Sequence, residues 1–510
     1  MKDNTEIKVD NNGAFNKFLN AVEKIGNKLP HPFMLFLYLT LILVVISFIL
    51  GTMHASVIHP NTGETVTVNN LLSKEGIRYI LENTLTNFTG FAPLGLVLTM
   101  MLGIGLSERV GLFSALMTKA IIKTPKRIVT FMVVFIGILG NIASDAAFVV
   151  IPPLAALVFL SLGRHPLAGL AAGLAGVGIG FTANILIAGT DALLSGISTE
   201  IAKTIDPDMV VSALDNWFFM SASTFLLAFL GAVVTDKIVE PRLGPYNGEK
   251  KADLHELTPL ENRALRNTGI AILLYVGLLI VLMVIPDSPL LNDDGTILRS
   301  PFLSGIIPIL VAFFLLAGIT YGVSVKKITK VADVPIIMAE AIRDLSGYIV
   351  LIFIIGQFIG YFNWTNIATW MAVHLADILT AIKLTNVFAV VLFTLLVAVL
   401  SLFIISGSAL WSLVAPIFVP TFMLLGYHPA FIQLAYRIGE SSTNMVTPLN
   451  QYFAIILGFM LTYNKKAGIG TLMSLMIPYT IVFLIAWILL MLVFVIFNIP
   501  IGPGVHYLLK

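Results

Sequence analysis

The chain has 510 residues, of which 57% are apolar and 11% charged, with a mean hydropathy of +0.95. A soluble domain is about 45–50% apolar and about 25% charged, so this composition excludes one, and it excludes a disordered chain as well. Thirty Lys and Arg against 28 Asp and Glu leave a net charge of +2, with no basic surface for nucleic acid; the absence of cysteine excludes disulfides and Cys-ligated metals.

What remains is an all-α polytopic membrane protein in a lipid bilayer. Residues 1–30 are polar, carry five lysines and show no cleavable signal, so they are read as a cytoplasmic N-terminal segment. The unit 31–84 holds the first span, 32–50, and a polar external loop that continues to residue 87. A second span over 85–107 returns inward to Arg109, Lys119, Lys123, Lys126 and Arg127; the stretch 110–123 is too short and basic to cross and reads as an interfacial helix. Further spans fit 166–203, 216–236, 268–286, 302–323, 337–361, 428–463 and 470–497, nine in all. Basic loops alternate with the acidic loop containing Asp287, Asp293 and Asp294, which leaves the C-terminus, 498–510, outside a bacterial cytoplasmic (inner) membrane.

Two apolar regions do not fit as single crossings. Region 127–162 has two short legs around the polar tip 141–145, with positive charge at both ends; region 386–425 has the same form around Ser406, Gly407 and Ser408. Each reads as a re-entrant hairpin, the first entering from inside and the second from outside. Such backbone is tolerated only against protein or a water-filled cavity.

The two regions match at an offset of 263, with seven identities in the 24 positions from residue 143, among them Pro153 with Pro416, Gly163 with Gly426 and His165-Pro166 with His428-Pro429. Each is followed by a span interrupted by polar residues. The chain then divides into a first repeat, 85–236, with hairpin 127–162 and broken helix 166–203; a linker with two scaffold spans, 237–336; and a second repeat, 337–497, with hairpin 386–425 and broken helix 428–463. Inverted repeats with broken helices near the midplane characterise secondary transporters.

A broken helix exposes carbonyls to cations and N–H groups to anions, and hydroxyl and amide side chains complete a cage. Asn141, Ser144, Thr182 and Asn184 form one candidate Na⁺ cage; Ser406, Ser408, Asn444 and Thr447 form another, though such residues also serve merely to satisfy backbone groups. Charges deep in spans are the sharper signal: Asp145, Asp191, Arg437 and Glu440. Arg437 offers a fork to a substrate carboxylate, or simply pairs with Glu440 three residues on; Asp191 or Glu440 carries a proton or faces a cation, and Asp145 also suits a helix cap. Trp411 offers a flat wall to an aromatic ring, or packs; His165 and His428 read as interfacial. No enzyme motif and no phosphate-binding loop is present, and no cofactor is expected beyond a coupling ion, Na⁺ or alternatively H⁺. A channel and an intramembrane acid-pair hydrolase are the weaker readings.

The stretches NIASDAAFVVIPP (141–153), GRHPLAG (163–169), GFTANILIAGTDALLSG (180–196), SALWSLVAPIFVP (408–420) and YRIGESSTNMVTP (436–448) resemble the aminobenzoyl-glutamate transporter (AbgT) family, and the resemblance covers nearly the whole chain. It implies nine transmembrane helices plus two opposed hairpins, an elevator-type architecture and a homodimer. It further implies uptake of p-aminobenzoyl-glutamate, a folate breakdown product, or export of sulfonamide antimetabolites. The family's functional positions fall here on Asp191, Ser408, Trp411, Arg437, Glu440 and Pro448; at Glu440 the family often has Asp.

Overall fold

In the computed structural model the described residues are 30–58, 63–143, 145–246, 248, 257–298, 300–447, 449–450 and 452–509. The N-terminal segment 1–29, Ser144 and Pro448 lie outside them, as does the side chain of Asp145. Apolar runs long enough to cross a bilayer become helices because only internal hydrogen bonds satisfy the backbone there. Apart from two four-residue helices, the α-helices are, in order, α1 (Pro32–Thr52), α2 (Lys74–Thr89), α3 (Ala92–Arg109), α4 (Leu112–Ile122), α5 (Val129–Leu139), α6 (Asp145–Ser161), α7 (Pro166–Leu174), α8 (Gly189–Ala202), α9 (Trp217–Val234) and α10 (Pro259–Val284). They continue with α11 (Ile306–Ser324), α12 (Asp333–Asp344), α13 (Ser346–Trp364), α14 (Ile367–Ala381), α15 (Val387–Leu400), α16 (Gly407–Leu424), α17 (Pro429–Thr443), α18 (Phe453–Tyr463) and α19 (Ile469–Ile496).

Among the described residues eight helical stretches are long and apolar enough to cross a membrane. Seven coincide with expected spans; the eighth is α16, which the sequence reading gave to a hairpin leg. The two remaining expected spans, the broken helices 166–203 and 428–463, are interrupted as that reading requires. Three further differences have simple causes. The polar stretch after α1 is not only loop: it holds a short antiparallel hairpin, Ser56–Ile58 against Thr65–Thr67, and the polar helix α2, whose N-cap Ser73 accepts from Gly76 N at 3.0 Å. The expected span 337–361 is two helices, separated at Leu345, and α14 follows where no element was expected; α14 is short and carries His374 and Asp377, so its composition does not announce it.

A frame forms where α3 packs on α11 and α12, α10 on α11, and α1 and α2 on α13. The α3–α11 contact is close because its helices meet at small residues: a Cβ on Gly103 would stand 2.8 Å from the Val311 carbonyl, and Ser107 Oγ donates to the Phe314 carbonyl at 2.7 Å.

The two stretches that match at the offset of 263, the first and second units, share local geometry. Gly163 and Gly426 both adopt positive φ, +73° and +88°, ending a helix in the left-handed region that glycine enters without strain. Two residues later His165 and His428 cap the next helix, each Nδ1 accepting a backbone N–H at 3.2 Å, from Leu167 and Ala430. These histidines, read as interfacial, serve as N-caps. After α7 the first unit passes through a π-turn, Ala175–Ile179, and is irregular until α8; after α17 the second is irregular until α18. Between α6 and α7, half-buried Arg164 lies 4.0 Å over the Phe159 ring, donates to Thr130 Oγ1 at 2.7 Å and pairs with Asp236 and Glu240, fastening α5–α6 to the end of α9.

Candidate functional site

The break of the first unit lies against the intact helix of the second. α8 packs on α16 and α17, so residues more than 200 positions apart meet between them. Arg437 Nη2 donates to Asp191 Oδ1 at 2.5 Å and to the Thr182 carbonyl at 2.9 Å. Asp191 sits in the first turn of α8, where the helix N-terminus favours negative charge. Its other oxygen, Oδ2, accepts from Ala188 N at 2.7 Å and from Asn184 Nδ2 at 3.1 Å. The pair is enclosed, with side chains 1% and 4% exposed. The pairing of Arg437 with Glu440, the alternative to a substrate fork left open by the sequence, is not the one made. Asp191 reaches the guanidinium from across the break, while Glu440 accepts from its neighbour Ser441 Oγ at 3.1 Å. Thr182 Oγ1 joins the two units a second time, 2.7 Å from Ser441 Oγ.

Beside this junction lies a cavity of about 210 Å³. Phe181, Thr182, Thr190, Leu193 and Leu194 line it from the first unit, and Gly407, Ser408, Tyr436 and Glu440 from the second. Glu440 is the sole carboxylic acid in that lining, and Phe181 and Tyr436 are its aromatic groups.

Over residues 17–509 the sequence matches the AbgT putative transporter family. The chain belongs to that family. It is 46% identical over 492 residues to the p-aminobenzoyl-glutamate transport protein of Escherichia coli K12, covering 96% of this chain and 97% of that one. Two solved structures superpose closely on this AbgT-family chain. The Alcanivorax borkumensis YdaH transporter is 39% identical with a TM-score of 0.89, covering 93% of this chain and all of that one. Neisseria gonorrhoeae MtrF, described with a class of antimetabolite efflux pumps, is 44% identical with a TM-score of 0.90, covering 96% and 100%. The relatives are transporters, not enzymes.

Of the residues singled out from the sequence, Thr182, Ser408 and Glu440 line the cavity, and Asp191 and Arg437 stand behind it, occupied with each other. Trp411 is fully buried one layer back, its indole N–H donating to Ser198 Oγ at 3.2 Å and the Leu194 carbonyl at 3.3 Å. The wall expected of Trp411 is supplied by Tyr436, whose ring lies 4.6 Å from that of Trp411. The two candidate cages are spent unevenly. Asn184 turns to Asp191 and Thr182 to Ser441; Ser406 caps α16, and Thr447 Oγ1 donates to the Leu402 carbonyl at 2.7 Å. Asn141 donates to the Ile138 and Gly180 carbonyls, but its Oδ1 and that of Asn444 are buried with no hydrogen-bond partner among the described residues. Sequence reading missed Tyr436, Phe181 and Gln433. The first two carried a signal in retrospect, since each adjoins a polar residue, Thr182 or Arg437, within an otherwise apolar span.

Proposed function

We propose that the protein is a cation-coupled secondary transporter of p-aminobenzoyl-glutamate, or of a small aromatic carboxylate like it, across the bacterial cytoplasmic membrane. The observation that carries this reading is the cavity between two broken-helix units, with an aromatic wall at Phe181 and Tyr436 and a buried guanidinium directly behind it. A substrate carboxylate suits Arg437, whose Nε has no hydrogen-bond partner among the described residues, and an aminobenzoyl ring suits the Tyr436 face. The 46% identity to a p-aminobenzoyl-glutamate transport protein supports the same substrate.

Cation coupling rests on the two orphaned amide oxygens, Asn141 Oδ1 and Asn444 Oδ1. A buried acceptor left unmade costs about 1–3 kcal/mol, a cost that an oxygen-seeking cation such as Na⁺ removes. Protons carried by Glu440 are the alternative driving ion. Two opposed hairpins, an inside N-terminus, an outside C-terminus, elevator-like movement of the broken-helix units and a homodimer complete the proposal. The barely covered helix α10, which exposes Leu273, Leu274 and Val281, offers a face to lipid or a second copy.

A second reading, export of sulfonamide-type antimetabolites, is favoured by the 44% identity to MtrF. Counterflow in sealed liposomes separates the two. Labelled p-aminobenzoyl-glutamate should accumulate against its gradient when Na⁺ or a proton gradient is supplied. Exchange of a sulfonamide alone would select the export reading, and passive flux of either compound would defeat a coupled carrier.

A further inference from the structure

The second hairpin meets the cavity at its tip, where α16 begins. Ser406 caps this helix, its Oγ accepting from Ala409 N at 3.4 Å, and the next two residues face the cavity. Gly407 is held from two sides. Its carbonyl accepts a 2.5 Å hydrogen bond from the Tyr436 hydroxyl. Its Cα lies so close to Glu440 that a Cβ there would stand 3.1 Å from Oε1.

Tyr436 itself is fixed from behind. It rests on Trp411, Trp411 donates to Ser198, and Ser198 donates to Gln433 Oε1 at 2.7 Å. Gln433 Nε2 in turn donates to Asn216 Oδ1 at 3.0 Å, and Asn216 to the Ala430 carbonyl at 2.8 Å. This buried relay is satisfied at each step, which makes it rigid. Trp411 is itself on α16, so the relay holds that helix as well as Tyr436; ahead of Trp411 one phenol–carbonyl bond reaches a tip whose residues 402–408 are only half-buried.

The two sides of the tip are anchored unequally. The α15 side is tied to the second broken helix by Thr443 Oγ1 donating to the Ala398 carbonyl at 2.8 Å and by Thr447 donating to the Leu402 carbonyl. On the α16 side, Tyr436 supplies the one hydrogen bond from another element to residues 406–408 among the described residues. Four residues after Gly407, Trp411 donates to Ser198 Oγ and the Leu194 carbonyl, so α16 is pinned from its second turn and the stretch left to move is the tip ahead of it, residues 402–408.

We propose that the start of α16 is the gate of the cavity and that the Tyr436 hydroxyl is its latch. Tyr436 is then a positioning residue of the transport cycle: it holds Gly407 and Ser408 against the cavity, and release of one bond lets the tip swing.

The chain has no cysteine, so a single thiol reports one place. Ile405→Cys sets a thiol on the tip, and its reaction with a water-soluble maleimide is followed in detergent-solubilised protein. Adding Tyr436→Phe keeps the ring on Trp411 and removes only the hydroxyl. The reaction should quicken about two- to twelve-fold, the change in open population for loss of one net hydrogen bond. An unchanged rate overturns the latch. So does an equal quickening at Ile136→Cys in the first hairpin, which would mean general loosening. The substrate arm alone rests on the function proposed above: p-aminobenzoyl-glutamate should slow labelling of Ile405→Cys, and less so with Tyr436→Phe. If labelling quickens in Tyr436→Phe but the compound protects neither protein, the gate stands and the substrate reading falls.

Discussion

Replacing Asp191 by asparagine removes the charge that balances Arg437 and keeps the shape. The carboxylate accepts from three donors: Arg437 Nη2 on one oxygen, and Ala188 N and Asn184 Nδ2 on the other. An amide has one oxygen, so whichever way the substituted side chain turns, its NH₂ faces a donor. Two opposite charges about 4 Å apart attract by about 4 kcal/mol at an effective dielectric near 20. Removing one partner of a buried pair costs about 3–5 kcal/mol, because the other charge stays behind without water. The 1% and 4% exposures of these side chains place the pair in that regime. Asp191→Asn should therefore lose about 4 kcal/mol of stability, read as a fall in melting temperature of the detergent-solubilised protein, along with transport. Arg437→Gln should cost a similar amount. The double replacement should cost far less than the sum, since it leaves no orphaned charge. Adding Glu440→Gln to each variant should change that coupling energy much less than removing either partner does, as Glu440 does not accept from Arg437. Additive losses for Asp191→Asn and Arg437→Gln, or coupling of Arg437 to Glu440 instead, would refute the assignment.

Three other outcomes follow from the geometry. Asn141→Ala or Asn444→Ala should weaken the Na⁺ dependence of uptake in liposomes at least tenfold, whereas Asn184→Ala should act through Asp191 on stability; an unaltered Na⁺ response in both of the first two leaves protons as the driving ion. Gly439→Ala should destabilise by about 3 kcal/mol, at the top of the overpacking range, because its Cβ would stand 2.4 Å from the Thr394 carbonyl and force α15 and α17 apart; a wild-type melting temperature would contradict this. His165 must be neutral to cap α7 through Nδ1, and burial pushes its pKa below the ordinary value of 6.5, against the opposing pull of Glu240. The unfolded chain thus binds the proton more readily, so the cap's contribution is complete above about pH 6.5 and is lost as pH falls below it. His165→Asn, which caps without titrating, should flatten the decline in melting temperature between pH 7 and 5.

The parts of this fold written in short-range chemistry were open to a reader of the sequence. Gly163 and Gly426 end helices, His165-Pro166 and His428-Pro429 start them, and the polar runs after residue 180 and from residue 444 break them, because backbone dihedrals and local hydrogen bonds decide each case. Pairing across the units was not open. Arg437 had a plausible partner three residues away and chose one 246 residues away, because the turn before α8 brings Asp191 and the Thr182 carbonyl to the same guanidinium nitrogen. Trp411 stands one layer behind the cavity rather than on it, because the direction of its side chain depends on Ser198, on another element. The helices α2 and α14 were hidden for the opposite reason: they are too polar or too short to stand out by hydropathy, and packing on α13 and α16 fixes them.

These placements bear on the cation coupling proposed above. The first unit brings Asp191 and the second brings Arg437, and the two neutralise each other behind the wall. The lining then keeps one acid, Glu440, enclosed with little water to screen it. An anionic substrate entering such a cavity meets no net positive charge. Either its carboxylate displaces Asp191 from Arg437, leaving two buried acids, or it lies beside Glu440 with the ion pair intact. Both arrangements put uncompensated negative charge in a low-dielectric space, which costs several kcal/mol. On the proposed function, a Na⁺ ion on the unpartnered amide oxygens of Asn141 or Asn444, or a proton on Glu440, would cancel that charge. Substrate and cation then enter favourably together and each poorly alone, which is the thermodynamic condition for coupled transport.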